Sequence, residues 1–358
     1  MRNRVPAMLS AHLKTRKLLA VLAIGLCSCL SLHADGKKPA GPNDRHSFTI
    51  YFENDLFSNT DRDYTNGVRF SWLSQDLESL ENWPLLEKIR LAVPWFAAEG
   101  RTHNVGIAFG QSIYTPEDIH TGALMEDDRP YAAWLYGTLS LHRKTARDLH
   151  RIELTLGVVG PEAMGEEAQN GVHKIRSIAT ADGWDNQLDT EIGLIFGYDY
   201  LRRWSWQFSD RQLWGLDAIS IVGGRLGNVL TEAKAGAVLR LGWNVPRDFH
   251  GSRIDSSGYT LPPKDADILE RDSKISVYCF ASLEGHAVGH SIFLDGNTFS
   301  ESHDVKRIPW IAESELGIGI RWGGFRITYA QVFRTREFEE QGEGQQYGSV
   351  SLSWAGSF

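Results

Sequence analysis

Gln169 and His173 stand four residues apart in the run Gly160-Pro161-Glu162-Ala163-Met164-Gly165-Glu166-Glu167-Ala168-Gln169-Asn170-Gly171-Val172-His173-Lys174-Ile175. This stretch reads as a short helix in a chain that otherwise alternates like a set of β-strands. On a helix the spacing puts the amide and the imidazole on one face. An imidazole held there can act as a general base toward water, although the same stretch also fits a solvated loop helix whose histidine does nothing. Further polar groups cluster in Phe52-Glu53-Asn54-Asp55 and in Asp61-Arg62-Asp63-Tyr64-Thr65-Asn66-Gly67. Gly110-Gln111-Ser112-Ile113-Tyr114-Thr115-Pro116 and Asp127-Asp128-Arg129-Pro130-Tyr131 add two more. Carboxylate and amide oxygens such as those of Asn54 and Asp55 can hold a hard cation such as Ca²⁺, which polarises a carbonyl and stabilises an oxyanion. The plainer reading of Asn54-Asp55 and of 61–67 is hairpin chemistry, since Asn, Asp and Gly populate turns for backbone reasons. Neighbouring strand residues also face opposite sides, so Asn54 and Asp55 can share a site only where the strand ends or bulges.

The elements that would carry these residues are strands. Val350, Leu352, Trp354 and Phe358 fall on one face of the last segment, and Ser349, Ser351, Ser353 and Ser357 on the other. Phe325, Ile327, Tyr329 and Phe333 alternate with Arg326, Thr328 and Ala330, and Ile152, Leu154, Leu156 and Val158 with Arg151, Glu153, Thr155 and Gly157. A two-residue period with small or charged residues on one side and large apolar ones on the other fits apolar-out, polar-in barrel walls. A soluble sandwich alternates in the same way, but 12 tryptophans, enough for interfacial girdles, and the terminal Phe favour the membrane. The pattern predicts twelve strands at 47–55, 65–75, 103–112, 131–144, 149–159, 187–203, 212–224, 229–243, 273–285, 308–322, 324–335 and 346–358. With periplasmic termini, loops 56–64, 113–130 and 160–186 share the outer rim, and the His173 helix is extracellular. Residues 76–102 are long for a periplasmic turn and read as an amphipathic helix on the inner rim.

Ahead of the barrel, Arg2, Arg4, Lys14, Arg16 and Lys17 precede an apolar run from Leu18 to Leu26, closed by Ser31-Leu32-His33-Ala34. This is the pattern of an export signal cut after Ala34, with 35–45 as a short linker and 46–358 as the barrel. Cleavage removes five positive charges from a chain of formal net charge −8, leaving about −13, the wrong sign for a nucleic-acid binder. Only Cys279 then remains, so no internal disulfide is expected. No Gly-x-Ser-x-Gly elbow, His-Glu-x-x-His, Cys-x-x-Cys or phosphate loop is present. His286 and His290 are read as surface residues at a strand end. Three polar loops meeting at one rim are what an ester hydrolase at a membrane surface needs.

Taken together, Glu53-Asn54-Asp55, Asp63-Tyr64-Thr65-Asn66-Gly67, Gln111-x-x-Tyr114-Thr115-Pro116, Asp128-Arg129-Pro130-Tyr131 and Gly160-Pro161 through Gln169-Asn170-x-x-His173 resemble the lipid A 3′-O-deacylase family of outer-membrane enzymes. The resemblance spans about residues 46–358. It implies an all-β, twelve-stranded antiparallel transmembrane barrel with a calcium-dependent site between the wall and an outer-loop helix. It further implies a monomer acting on lipid A or lipopolysaccharide. By this resemblance His173 is the catalytic base, Asn54, Asp55 and Thr65 are partners at the water, cation or oxyanion, and Gln169 is a supporting contact, with Asp55 the candidate Ca²⁺ ligand. Some relatives carry a basic cluster in the second outer loop. Here residues 117–127 contain no Lys or Arg, leaving Arg129, Lys174 and Arg176 as candidates for a phosphate contact. Two other readings stand beside this one: a non-enzymatic barrel such as a channel or structural porin, and an outer-membrane phospholipase, which needs a His-Ser pair that the chain lacks.

Overall fold

The computed structural model describes residues 45–55, 63–77, 80–81, 83–93, 96, 102–209, 212–249, 251–255 and 275–357. The expected signal segment 1–34, most of the linker, Asp61, Arg62 and Phe358 lie outside them. The chain divides into units 1–40 and 41–358, and only the second contains described residues. In it twelve strands form a closed antiparallel barrel: β1 (His46–Asn54), β2 (Asp63–Leu73), β3 (Thr102–Thr115), β4 (Ala132–Lys144), β5 (Asp148–Val159), β6 (Glu191–Ser209), β7 (Gln212–Gly227), β8 (Leu230–Trp243), β9 (Ile275–Ser291), β10 (Trp310–Trp322), β11 (Phe325–Arg334) and β12 (Gln345–Gly356). Each pairs with its sequence neighbour, and β1 closes on β12 from His46↔Gly356 to Asn54↔Gly348. Closure leaves no sheet edge, as a β-structure in hydrocarbon requires. All twelve predicted strands are present. β9 runs six residues past its expected end, and β6 continues through Trp204 and Trp206, whose alternation the preceding arginines had masked.

The two-residue period sorts the side chains. Phe48, Ile50 and Phe52 of β1, Leu154 and Leu156 of β5 and Ile318 and Ile320 of β10 form an exposed apolar belt, while Ser349, Ser351 and Ser353 of β12 and Arg326 and Thr328 of β11 are buried in the lumen. The described part of the loop after β8, residues 244–249 and 251–255, unremarked in sequence, enters that lumen. Arg240 sits between Asp217 and Asp248 at 2.5 Å from each, and Arg326 reaches Asp248 at 3.0 Å. Farther along the loop Arg253 pairs with Glu284 at 2.9 Å and also with Glu313, and Lys234 pairs with Asp255 at 3.0 Å. Ile254 N donates to Glu53 Oε1 at 2.8 Å, and Arg69 donates to Ile254 O at 2.6 Å. A luminal plug therefore bridges the barrel from β8 to β1. His286, expected on the surface, lies beside the luminal cavity and pairs with Glu232 at 3.0 Å, because β9 continues past it. The expected amphipathic helix is α1 (Pro84–Ala92), whose Leu86 packs with Leu80 and Phe96 against Val105, Leu141 and Ile152.

Removing one partner of a buried ion pair strands the other charge and costs about 3–5 kcal/mol. Arg240→Ala, which removes the pair to Asp217 and leaves Asp248 with Arg326 alone, should lower the urea midpoint of the refolded barrel, followed by its heat-modifiable gel mobility. An unchanged midpoint would show that the plug contributes nothing to stability.

Candidate functional site

Alternation fails at one end of the barrel, on the rim shared by the loops that follow odd-numbered strands. Along β1 the even-numbered residues face outward, and Phe52 is 38% exposed; Asn54, next in that series, is only 6% exposed. β1 ends there, and Asp55 begins a turn with its side chain fully buried. Across the pair β2 bulges: Tyr64 opposes Tyr114 and Asn66 opposes Ile113, which leaves Thr65 as the extra residue. Asn54 Nδ2 donates to Thr65 O at 3.0 Å, and the Thr65 and Thr115 hydroxyls lie 2.7 Å apart. The strand end and the bulge are the two devices that let Asn54, Asp55 and Thr65 escape strict alternation. Both occur here.

Beside this rim a second layer lies on the outside of the wall. On the outward face of β3, Phe109 is 48% exposed but Ile113 is 2% exposed and Thr115 is fully covered, as is Ala133, the partner of Ile113 on β4. The cover includes α2 (Gly165–Arg176), which packs on β3 and β4. The chain leaves β5 through Gly160, whose φ of 97° favours glycine. A Cβ on Gly165 would fall 2.5 Å from both Ala133 Cβ and the Trp184 ring, so glycine is what lets the helix lie this close. Gln111, outward on β3, donates to Ala163 O at 2.6 Å and clamps the helix entrance to the wall. Gly165, Gln169 and His173, spaced by four, are the buried stripe.

The chain returning from α2 folds back as a strap. Trp184 Nε1 donates to Gln169 Oε1 at 2.9 Å, Ala181 N donates to Asn170 Oδ1 at 2.8 Å, and His173 Nδ1 lies 2.6 Å from Ala179 O. An indole N–H can only donate, so it turns the Gln169 Nε2 away. That nitrogen is buried with no hydrogen-bond partner among the described residues. A carbonyl can only accept, so the His173 Nδ1 donates its proton in this contact, which fixes the orientation of the ring.

The family model described as outer membrane protein LpxR matches residues 18–356. The chain belongs to this family. Among solved structures, LpxR from Salmonella typhimurium superposes with a TM-score of 0.66 at 19% identity, covering 87% of this chain and all of that one. The β domain of the Bordetella autotransporter BrkA (TM-score 0.39, 9% identity, 88% and 98% covered) and an outer membrane channel from Pseudomonas putida F1 (0.37, 9%, 91% and 100%) are more distant barrels. No curated protein sequence matches the chain. The family model makes the chain an outer-membrane protein, and the likeness to the LpxR structure shows that the two share a fold, here a closed twelve-stranded barrel.

In this LpxR-family barrel the motif residues divide between site and scaffold. Tyr64 and Tyr114 point into the lumen, where Tyr64 donates to Glu53 Oε2 at 2.9 Å and Tyr114 stacks on Phe293. Asp128 accepts from Glu117 N and Arg129 N, each at 2.7 Å, and so shapes the β3–β4 loop. Arg129 is no phosphate contact: it is buried and pairs with Glu337 at 2.5 Å. Burial alone would raise the Glu337 carboxyl, but Arg129 and Arg334 beside it outweigh that and hold it below its usual range. Lys174 and Arg176 are exposed. The luminal cavity of about 250 Å³ is lined by Ser112, Tyr114 and Trp134, on the opposite side of the wall from Thr65 and Ile113. Gln111, Asn170 and Trp184 were not expected as site supports; their only signal was that two of them stand in the recognised motifs.

Among the described residues no three histidine, cysteine or carboxylate side chains are grouped to hold a metal ion. The donors at the strand end are oxygens: the buried Asp55 carboxylate, the Asn54 amide and the Thr65 hydroxyl. Such a set suits a hard cation that completes its shell with carbonyls and water, and lacks the nitrogen and sulfur ligands of zinc. It fits Ca²⁺. The close helix–wall contact gives a structural prediction. Gly165→Val should drive a branched side chain into Ala133 and Trp184 and lift α2, seen as protease cleavage within 160–190 while the barrel keeps its heat-modifiable mobility. Resistance equal to wild type would contradict the packing.

Proposed function

We propose that this protein is an outer-membrane esterase that hydrolyses the 3′-O-linked acyloxyacyl chain of lipid A, acting as a monomer on lipopolysaccharide at the extracellular rim. Membership of the LpxR family supports the substrate and the membrane. The export pattern of residues 1–34 supports delivery there. The observation that carries the chemistry is the placement of His173: a buried imidazole whose ring is oriented by the Nδ1–H bond to Ala179 O, on the helix that packs on the outer face of the wall.

In this reading His173 Nε2 takes a proton from water as the oxygen attacks the ester carbonyl carbon. The proton then passes to the departing alkoxide, which restores neutral His173 and leaves a free carboxylic acid and a hydroxyl on the sugar. The Gln169 Nε2–H group, without a partner among the described residues, donates toward the developing oxyanion. Asn54, held by Thr65 O, and the Thr65 hydroxyl, held by Thr115, orient the strand-end oxygens. Asp55, with Asn54 and Thr65, would hold Ca²⁺, which when bound supplies positive charge for the oxyanion. Lys174 and Arg176, exposed on the last turn of α2, replace the missing basic loop as contacts for a phosphate. A channel is the weaker reading, because the plug bridges the lumen between β8 and β1.

Loss of a general base typically costs about 10²–10⁴ in rate. His173→Ala should therefore lower release of the 3′ chain by about that factor, with the barrel folded, and a chelator should silence the wild type. Mass spectrometry of lipid A from expressing cells provides the test. An unchanged 3′ acyl pattern with folded wild-type protein and Ca²⁺ present would sink the proposal.

A further inference from the structure

α2 has four sides, and three are accounted for. Gly165, Gln169 and His173 face the wall. Asn170 faces the strap through its bonds to Ala181. Glu167, Gly171 and Lys174 point away from the barrel, charged and open. The fourth side is Met164, Ala168, Val172 and Ile175, at spacings of four, four and three, extended by Ile178 beyond the helix. It is apolar, and Ile175 is 86% exposed. Such an amphipathic arrangement suits a helix lying in a membrane interface.

The surroundings name what covers that side. α2 packs on β3 and β4 from outside, with Gly165 against Ala133, and Ile113, Ala133 and Leu135 on this outward face are buried. Leu135 pairs with Val158, and Val158 pairs with Ile192 of β6, which is exposed to the lipid side together with Leu194. The lipid-facing belt of this outer-membrane barrel therefore rises to the level of the helix and continues onto its apolar side. We propose that the Met164–Val172–Ile175 side of α2 is seated in the acyl chains of the membrane leaflet, so that the cleft beneath the helix opens sideways to lipid. Resting on the function proposed above, this assigns the route of the scissile acyl chain: it enters laterally from the bilayer, along Val172 and Ile175, and not through the lumen. Lys174 and Glu167, on the outward side, remain in the headgroup layer, as long charged side chains at an interface do.

The test is a nitroxide at position 175 (Ile175→Cys in a Cys279→Ser background) in proteoliposomes, with collision rates measured against oxygen and against a water-soluble nickel chelate. Labels at Leu194→Cys in the belt and Glu167→Cys on the outward side calibrate the scale. Position 175 should match 194, with oxygen contact dominant. Nickel contact equal to that at 167 would overturn the proposal. Charges on the lipid face are disfavoured in a depth-dependent way, so Val172→Glu/Ile175→Glu should slow lipid A deacylation in bilayers about threefold or more, and a wild-type rate would also overturn it. Wild-type protein inactive on lipid A would instead refute the function, leaving the collision data to decide the seating of α2.

Discussion

The structure depends on one constraint: a closed antiparallel sheet in hydrocarbon must spend every backbone donor and acceptor on its neighbours, and so must send successive side chains alternately to lipid and to lumen. Along most of each strand neither face is suited to hydrolysis at the membrane surface, since one is an apolar belt and the other a crowded set of ion pairs. A polar group can stand on the outer face only where alternation stops or where something shields it. The end of β1 and the bulge at Thr65 supply the first condition, and α2 supplies the second. The candidate site is thus a local exception to the rule that makes the barrel.

That exception is braced from both sides of the wall. Inside, Glu53, the neighbour of Asn54, accepts from Tyr64, the neighbour of Thr65, and from Ile254 of the plug. Gln345 of β12 donates to Tyr64 O at 3.1 Å. The luminal network therefore fixes the two strand segments whose outward residues form the site. Outside, the strap holds α2 by bonds to three of its residues: among them, Trp184 fixes which way the Gln169 amide faces, and Ala179 O fixes how the His173 ring is turned. The same contacts that hold the helix orient the two side chains on its buried stripe.

Much of this was legible in the sequence because a two-residue period is a strong signal when one face meets lipid. The strand count, the closing serine ladder of β12 and the Gln169/His173 face followed from spacing alone. The plug was not legible, since nothing in the types of Asp248, Arg253 and Asp255 marks them as luminal, and the partners Arg326 and Glu284 are distant in sequence. His286 was misplaced for a related reason: the glycines around it suggested a strand end, whereas β9 uses them to continue. Arg129 was misjudged because sequence cannot say whether a loop arginine is already paired. The break in alternation at Asn54 could be posed as a requirement, but only the pairing register reveals that strand end and bulge both meet it.

The central claim is that the helix carrying Gln169 and His173 covers the outer face of the wall beside the Thr65 bulge, not the lumen. Cysteine pairs bridged by a short bifunctional thiol reagent, in folded protein lacking Cys279, test it directly. A pair at Thr65 and Gln169 should cross-link efficiently, while a pair at Gln169 and Ser112, which faces the lumen from the adjacent strand, should not. Cross-linking to position 112 without cross-linking to position 65 would contradict the account.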